Sequence, residues 1–268
     1  MKLALIQMSI SGDSRENLCR AGDYIARAAE LGADMAVLPE MFCCPYNTAL
    51  FREYSEPEGG ERSLLMAEIA NKNKIWLVAG SVPESAANGK VYNTLYLYGR
   101  DGTLAAKHRK AHLFDIDIEN GQSFKESEVL SCGNGLTTAE TEFGTLGLAV
   151  CYDIRFPELF SQMAARGARL IIVPAAFNMT TGPAHWELTF RARALDNQAF
   201  VVGVAAARDN NAHYISYAHS IITSPWGEVL TQMDEKEGMI VYEIDLGEAD
   251  RIRKQLPLLE HRRPDIYK

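Results

Sequence analysis

The chain has no basic tract. Its 27 lysines and arginines are outnumbered by 35 aspartates and glutamates, for a net charge of −8 over 268 residues. The segment His108-Arg109-Lys110 is too short to track phosphates, so nucleic acid is not an expected partner. No apolar run approaches the ~20 residues that span a bilayer, so no membrane role is expected either. The opening Met-Lys-Leu-Ala-Leu-Ile-Gln-Met begins like a secretory signal, but Gln7 and Ser11-Gly12-Asp13-Ser14 cut it short; a first strand is expected. Cysteine is scarce and irregular: Cys19, Cys43, Cys44, Cys132 and Cys151 are odd in number and share no spacing. That excludes a disulfide framework and points to a reducing, cytoplasmic compartment. Cys43-Cys44 is a vicinal pair and not a metal-ligand spacing. Linkers, low-complexity tracts and charge blocks are also missing, so residues 1–268 are read as a single domain. What is present, 47% hydrophobic and 23% charged residues, is an ordinary globular composition.

Apolar periodicity gives the elements. Lys2 to Met8 reads as a strand. Asp13 and Glu16 form a capping box for a helix closing at Leu31-Gly32. Met35 to Leu38 is a short strand that stops at Pro39 and leaves Glu40 just beyond its end. A helix over Glu61 to Lys72 and a strand over Ile75 to Val82 follow. The turns at Asn88-Gly89 and Arg100-Asp101-Gly102 then bracket strands Val91 to Tyr98 and Thr103 to His108, an antiparallel meander. Residues 111–135 read as a long loop, a form that is usually functional. Later come a helix from Pro157 to about Arg166, a strand Leu170 to Val173 and a helix Pro183 to Asp196. Strands are expected over Phe200 to Ala206, Tyr214 to Thr223 and Gly238 to Ile244, and a helix capped by Asp245. The helix end, Gly-Ala, short strand and proline at 29–39 recur at 165–174. Two similar halves suggest a four-layer α-β-β-α sandwich; one doubly wound sheet is the plainer alternative.

The chemistry centres on Leu146 to Pro157. An apolar strand ends at Cys151 and turns into a helix, and a thiol near unpaired N–H groups tends toward the thiolate. A small buried apolar cysteine fits the stretch equally well. Six histidines are present, and none has a signature tying it to Cys151. Glu40 and Lys110 would each pass for a surface charge. Three strand ends delivering Glu, Lys and Cys to one sheet edge make a stronger constellation than any of them alone.

Leu-Pro-Glu at 38–40, Arg-Lys-Ala-His-Leu-Phe at 109–114 and Ala-Val-Cys-Tyr-Asp-Ile-Arg-Phe-Pro-Glu at 149–158 resemble the three ordered signatures of the nitrilase superfamily, the carbon–nitrogen hydrolases. Asn93-Thr94, the 182–187 and 191–194 stretches, Pro225-Trp226-Gly227 and the terminal 261–265 agree, so the resemblance spans nearly the whole chain. It implies the α-β-β-α sandwich with pseudo-symmetric halves and a homodimer or larger homo-oligomer. It also implies that Cys151 is the nucleophile and Glu40 the general base. Lys110 and the Tyr152 backbone N–H would stabilise the oxyanion, and Glu126 would orient Lys110 and the substrate. No metal or organic cofactor is implied.

Within the superfamily, 112–117 and 176–186 are most similar to the omega-amidase branch. That likeness implies cleavage of the terminal amide of 2-oxoglutaramate or 2-oxosuccinamate to the acid and ammonia. Arg155, four residues past Cys151, would grip the substrate carboxylate, with Phe177 and Thr181 lining the pocket. A structural pair of Arg155 with Asp153 or Glu158 is the competing reading. A deaminated-glutathione amidase, an N-carbamoyl hydrolase and a non-catalytic scaffold that kept the fold are the alternatives.

Overall fold

A computed structural model describes residues 1–117 and 123–266. In chain order it contains β1 (Lys2–Gln7), α1 (Ser14–Glu30), β2 (Met35–Val37), α2 (Thr48–Phe51), α3 (Glu61–Asn73), β3 (Trp76–Ser85), β4 (Val91–Tyr98) and β5 (Leu104–Arg109). The short pair β6 (Asp115–Asp117) and β7 (Ser123–Lys125) precedes β8 (Thr137–Thr141) and β9 (Gly144–Leu148). Then follow α4 (Pro157–Ala165), β10 (Leu170–Pro174), α5 (Gly182–Asn197), β11 (Phe200–Val204), β12 (Ile221–Thr223), β13 (Val229–Gln232), β14 (Gly238–Glu243) and α6 (Gly247–Gln255).

The two large sheets have the same plan. One runs β14-β1-β2-β3-β4-β5 and the other β8-β9-β10-β11-β12-β13. Each has three parallel strands at its centre, one antiparallel strand on one side and an antiparallel pair on the other. The recurring Gly-Ala explains part of this likeness. Gly32 and Gly167 both take positive φ, 76° and 92°, to end a helix and enter the middle strand of a parallel trio.

Strand alternation builds the layers. Leu3, Leu5, Met35 and Val37 point toward the second sheet and share one core with Leu146 and Leu148. Their neighbours Ala4, Ile6 and Ala36 point the other way, onto Ala21, Ile25 and Ala28 of α1 and Met66 and Ala70 of α3. On the second sheet α4 and α5 supply Phe160, Met163, Trp186 and Phe190. The result is helix, sheet, sheet, helix, as the internal echo suggested.

Several local expectations need correction. The capping box is half formed. Asp13 accepts from the Arg15 and Glu16 N–H groups. Glu16 instead pairs with Arg20 at 2.7 Å, while the Asp13 N–H donates to Ser11. The stretch 111–135 is not a plain loop, since it holds β6, β7 and a 3₁₀ turn at Glu126–Glu128; its residues 118–122 lie outside the described ones. The strand expected from Tyr214 shrinks to Ile221–Thr223, because Ala218 and His219 both sit at φ 62° and break it. Strands β8 and β13 had no counterpart in the sequence reading. Among the described residues the five cysteines are free thiols, and no helix is long and apolar enough to cross a membrane.

Candidate active site

Strand direction brings the three charged or nucleophilic groups to one edge. β5 returns parallel to β2 after two reversals, so Lys110 and Glu40 both follow C-terminal strand ends of the first sheet. The turn carrying Glu40 is pressed onto β3: a Cβ on Gly80 would stand 1.9 Å from the Pro39 carbonyl oxygen. A register shift between Ala79 and Val82 lets the Ser81 hydroxyl accept from the Met41 N–H at 3.1 Å. Lys110 is held from both sides, its N–H on Asn93 and its carbonyl on the Gly133 N–H, each at 2.8 Å. Gly133 cannot be larger, since a Cβ there would come within 2.1 Å of the Arg109 carbonyl.

Cys151 follows β9 and opens a 3₁₀ turn, Cys151–Arg155, that leads into Pro157 at the start of α4. Its φ of 45° is a strained value for a side-chain-bearing residue. The Ala176 N–H donates to its sulfur at 3.4 Å. Asp153 fixes the turn and also ties it to the Lys110 strand. One carboxylate oxygen accepts from the Val150 N–H and meets His108 Nε2, both at 3.0 Å. The other accepts from the His112 N–H at 3.0 Å and meets His112 Nδ1 at 2.8 Å. His108 and His112 straddle Lys110, so one buried carboxylate clamps the Lys110 and Cys151 segments together.

Lys110 Nζ lies 3.0 Å from Glu40 and 2.9 Å from Glu126, and all three side chains are fully buried. Burial works against the Lys110 charge, but Glu126 and Glu40 outweigh it and raise its pKa. Glu126 also accepts from the Tyr46 hydroxyl at 2.5 Å and the Phe114 N–H at 2.7 Å. Glu40 Oε1 accepts from Asn93 at 2.8 Å and from Tyr46 at 3.3 Å; its Oε2 is buried with no hydrogen-bonding N or O partner among the described residues. Burial pushes the Glu40 carboxyl up, with Lys110 opposing and Glu126 reinforcing. Burial, and then Glu40, pushes the Cys151 thiol well above its ordinary value. The expected drift toward a resting thiolate is therefore corrected: the N–H groups are there, but desolvation beside a carboxylate wins.

Beside the sulfur is a cavity of about 190 Å³ lined by Cys151, Tyr152, Arg155, Phe177, Thr181, Phe114, Ala176 and Tyr214. The structure thus gathers every residue singled out from the sequence. Arg155 makes no ion pair with Asp153 or Glu158 among the described residues. Asp153 is occupied by the two histidines, and the Arg155 guanidinium meets His185 Nδ1 at 3.1 Å and lies over the Phe177 ring at 4.9 Å. Tyr46, Asn93 and Tyr214 were not given roles from sequence, and Asp153 was considered only as a partner for Arg155. The signal for Tyr46 was an aromatic residue in the loop directly after Glu40. Asn93 stood in a recognised motif without a stated purpose. Among the described residues no group of three or more His, Cys, Asp or Glu side chains is placed to hold a metal ion.

Comparison with known proteins agrees with this geometry. The carbon-nitrogen hydrolase family model matches residues 2–254. The chain belongs to the carbon–nitrogen hydrolase family. Among similar members, the omega-amidase NIT2 of Mus musculus is 46% identical over 266 residues, covering 99% of this chain and 96% of that protein. Omega-amidase NIT2-A of Xenopus laevis is 47% identical over the same length and coverage. Among solved structures, Saccharomyces cerevisiae Nit3, of the nitrilase superfamily, superposes with a TM-score of 0.90 at 40% identity, covering 98% of this chain and 96% of that one. The sandwich read from the echo is thus the fold of this hydrolase family.

Proposed function

We propose that this carbon–nitrogen hydrolase is an omega-amidase, cleaving the terminal amide of small carboxylate-bearing amides such as 2-oxoglutaramate and 2-oxosuccinamate. The observation that carries the reading is Arg155, which makes no ion pair with a carboxylate among the described residues and lines one pocket with Cys151. A guanidinium there can take a substrate carboxylate bidentately while the far amide reaches the sulfur. The similarity to curated omega-amidases supports the same branch.

In the first half-reaction Glu40 takes the Cys151 proton as the sulfur attacks the amide carbon. An ammonium has three donors, and one left over from the two glutamates serves the oxyanion with the Tyr152 N–H. Glu40 passes its proton to the leaving nitrogen, ammonia departs and a thioester remains. Water attacks that thioester with Glu40 again as base, and the sulfur recovers the proton. Glu126 holds Lys110 in register, and Phe177 and Thr181 bound the acyl chain. The chain acts as one catalytic domain, a reading supported by the core that the two sheets share. Assembly as a homodimer is supported by exposed Leu188 and Leu195 on α5 and exposed Trp226 in the turn between β12 and β13. Free thiols accord with the cytoplasm.

The test is ammonia release from a panel of 2-oxoglutaramate, 2-oxosuccinamate, deaminated glutathione, glutamine and an N-carbamoyl amino acid. Preference for the two oxo-amides is expected. Preference for deaminated glutathione or the carbamoyl compound would keep the chemistry but overturn the substrate assignment. No release from any of them would favour a scaffold.

A further inference from the structure

Two cavities reach the reacting groups from different sides. The smaller, about 190 Å³, contains Cys151 and Arg155. The larger, about 580 Å³, contains Glu40 and runs out to exposed Asp209 and His213. Ala176 and Tyr214 line both, and the Tyr214 hydroxyl donates to the Ala176 carbonyl at 2.5 Å, so the partition between them is braced. Tyr46 packs at a tilt against Tyr214, with ring centroids 4.6 Å apart, and lines the larger chamber. The nucleophile and its base thus open onto separate spaces.

We propose that the larger chamber is the solvent side of the reaction: it delivers the water that hydrolyses the acyl-enzyme and receives the departing ammonia. The proposal rests on the amidase reading above. The space around Cys151 and Arg155 is narrow, so an acyl chain running from one to the other occupies that side of the sulfur. Little room is then left there for water beside the thioester. Hydrolysis needs water within reach of Glu40, and the Glu40 side is where open space lies.

The step balances without any further reactant. The water oxygen bonds to the thioester carbon, its proton goes to Glu40, the carbon–sulfur bond breaks and the sulfur takes the proton from Glu40. The ammonia formed earlier leaves the same face, because Glu40 protonated it. The chamber's composition suits such cargo. Ala206, Ala207 and Ala212 keep it open, Asp209 lies at its mouth, and among the described residues no lysine or arginine lines it to repel an ammonium ion.

Two variants narrow the chamber at different depths: Ala212→Trp near the mouth, in an exposed turn, and Ala207→Leu further in. Each is mixed with 2-oxoglutaramate, quenched in acid and read twice, for total ammonia formed and for acyl adduct on Cys151 by mass. Quenching makes the first reading independent of how ammonia escapes. The expected result is that ammonia formation in the first turnover slows less than threefold while deacylation slows at least tenfold, so the adduct accumulates to more than half of the enzyme. An unchanged turnover in Ala212→Trp would overturn the proposal. So would equal slowing of both steps without adduct, which would make the chamber the amide's own entrance. A wild-type enzyme that forms neither ammonia nor adduct would fail the amidase reading itself, a distinct result.

Discussion

Lys110 is a cation with no solvent contact, held by two equally buried carboxylates. Such a trio is costly to break from one side, because removing the cation leaves two uncompensated charges. Lys110→Met should therefore do more than stop catalysis; urea unfolding should show a loss of about 3–5 kcal/mol. Adding Glu126→Gln should recover part of that loss. The Glu40–Cys151 pair makes a pH prediction. Glu40 must be ionised to act as base, and its pKa is raised, so the acid limb of kcat/KM should lie above the ordinary glutamate value of ~4.3. The thiol is raised too, so no rise in kcat/KM should appear near the ordinary cysteine value of ~8.5. A pH–rate profile over the neutral range and both flanks checks both limbs. Arg155→Ala should raise KM for carboxylate-bearing amides about 10- to 100-fold, the size of a charged hydrogen bond of ~1.5–3 kcal/mol, with little change on amides lacking the carboxylate. At this scale the strand ends made Glu40, Lys110 and Cys151 only a candidate constellation, and the roles proposed for them come from the motifs that resemble the superfamily signatures. Tyr46 and Tyr214 were not, because their contacts come from loops distant in sequence and leave no periodic trace.

The 3₁₀ turn after Cys151 is an element whose geometry depends on one side chain. Asp153 fills its lone pairs with two backbone N–H groups and two imidazoles, and these hydrogen bonds and charges lower its pKa despite full burial. A lowered native pKa means stability that is present above the unfolded value of ~3.9 and is lost as the pH falls through the native one. Asp153→Asn should accordingly be less stable than wild type at neutral pH, with the gap closing below about pH 4. Urea unfolding at several pH values reads this directly. Its kcat should fall while KM holds, since Asp153 lies under the reacting groups and not in the acyl pocket. From sequence Asp153 was only a candidate partner for Arg155. What decides between partners is the path of the His108–His112 segment across the turn, a tertiary fact with no local signature. The same limit explains the missed β8 and β13, whose few partly exposed residues carry little apolar alternation.

Across the whole molecule the pseudo-symmetry was legible in a short echo, because a Gly-Ala at a helix end and a proline after a strand are positions where the backbone restricts the residue. The halves agree in sheet order yet differ in chemistry. The turn after β2 bears Glu40, whereas the matching turn after β10 bears Ala175-Ala176, whose backbone N–H supports the sulfur. One half thus brings Glu40 and Lys110, the other Cys151, and the stacked sheets join them. In the proposed mechanism this division makes Cys151 essential to an activity that neither half could perform. The most direct measurement is ammonia release from 2-oxoglutaramate by wild type and Cys151→Ala side by side, with folding of both confirmed by circular dichroism. Turnover by the wild type and none by a folded Cys151→Ala is the predicted result. Equal turnover by the two, or none by the wild type, would contradict the account.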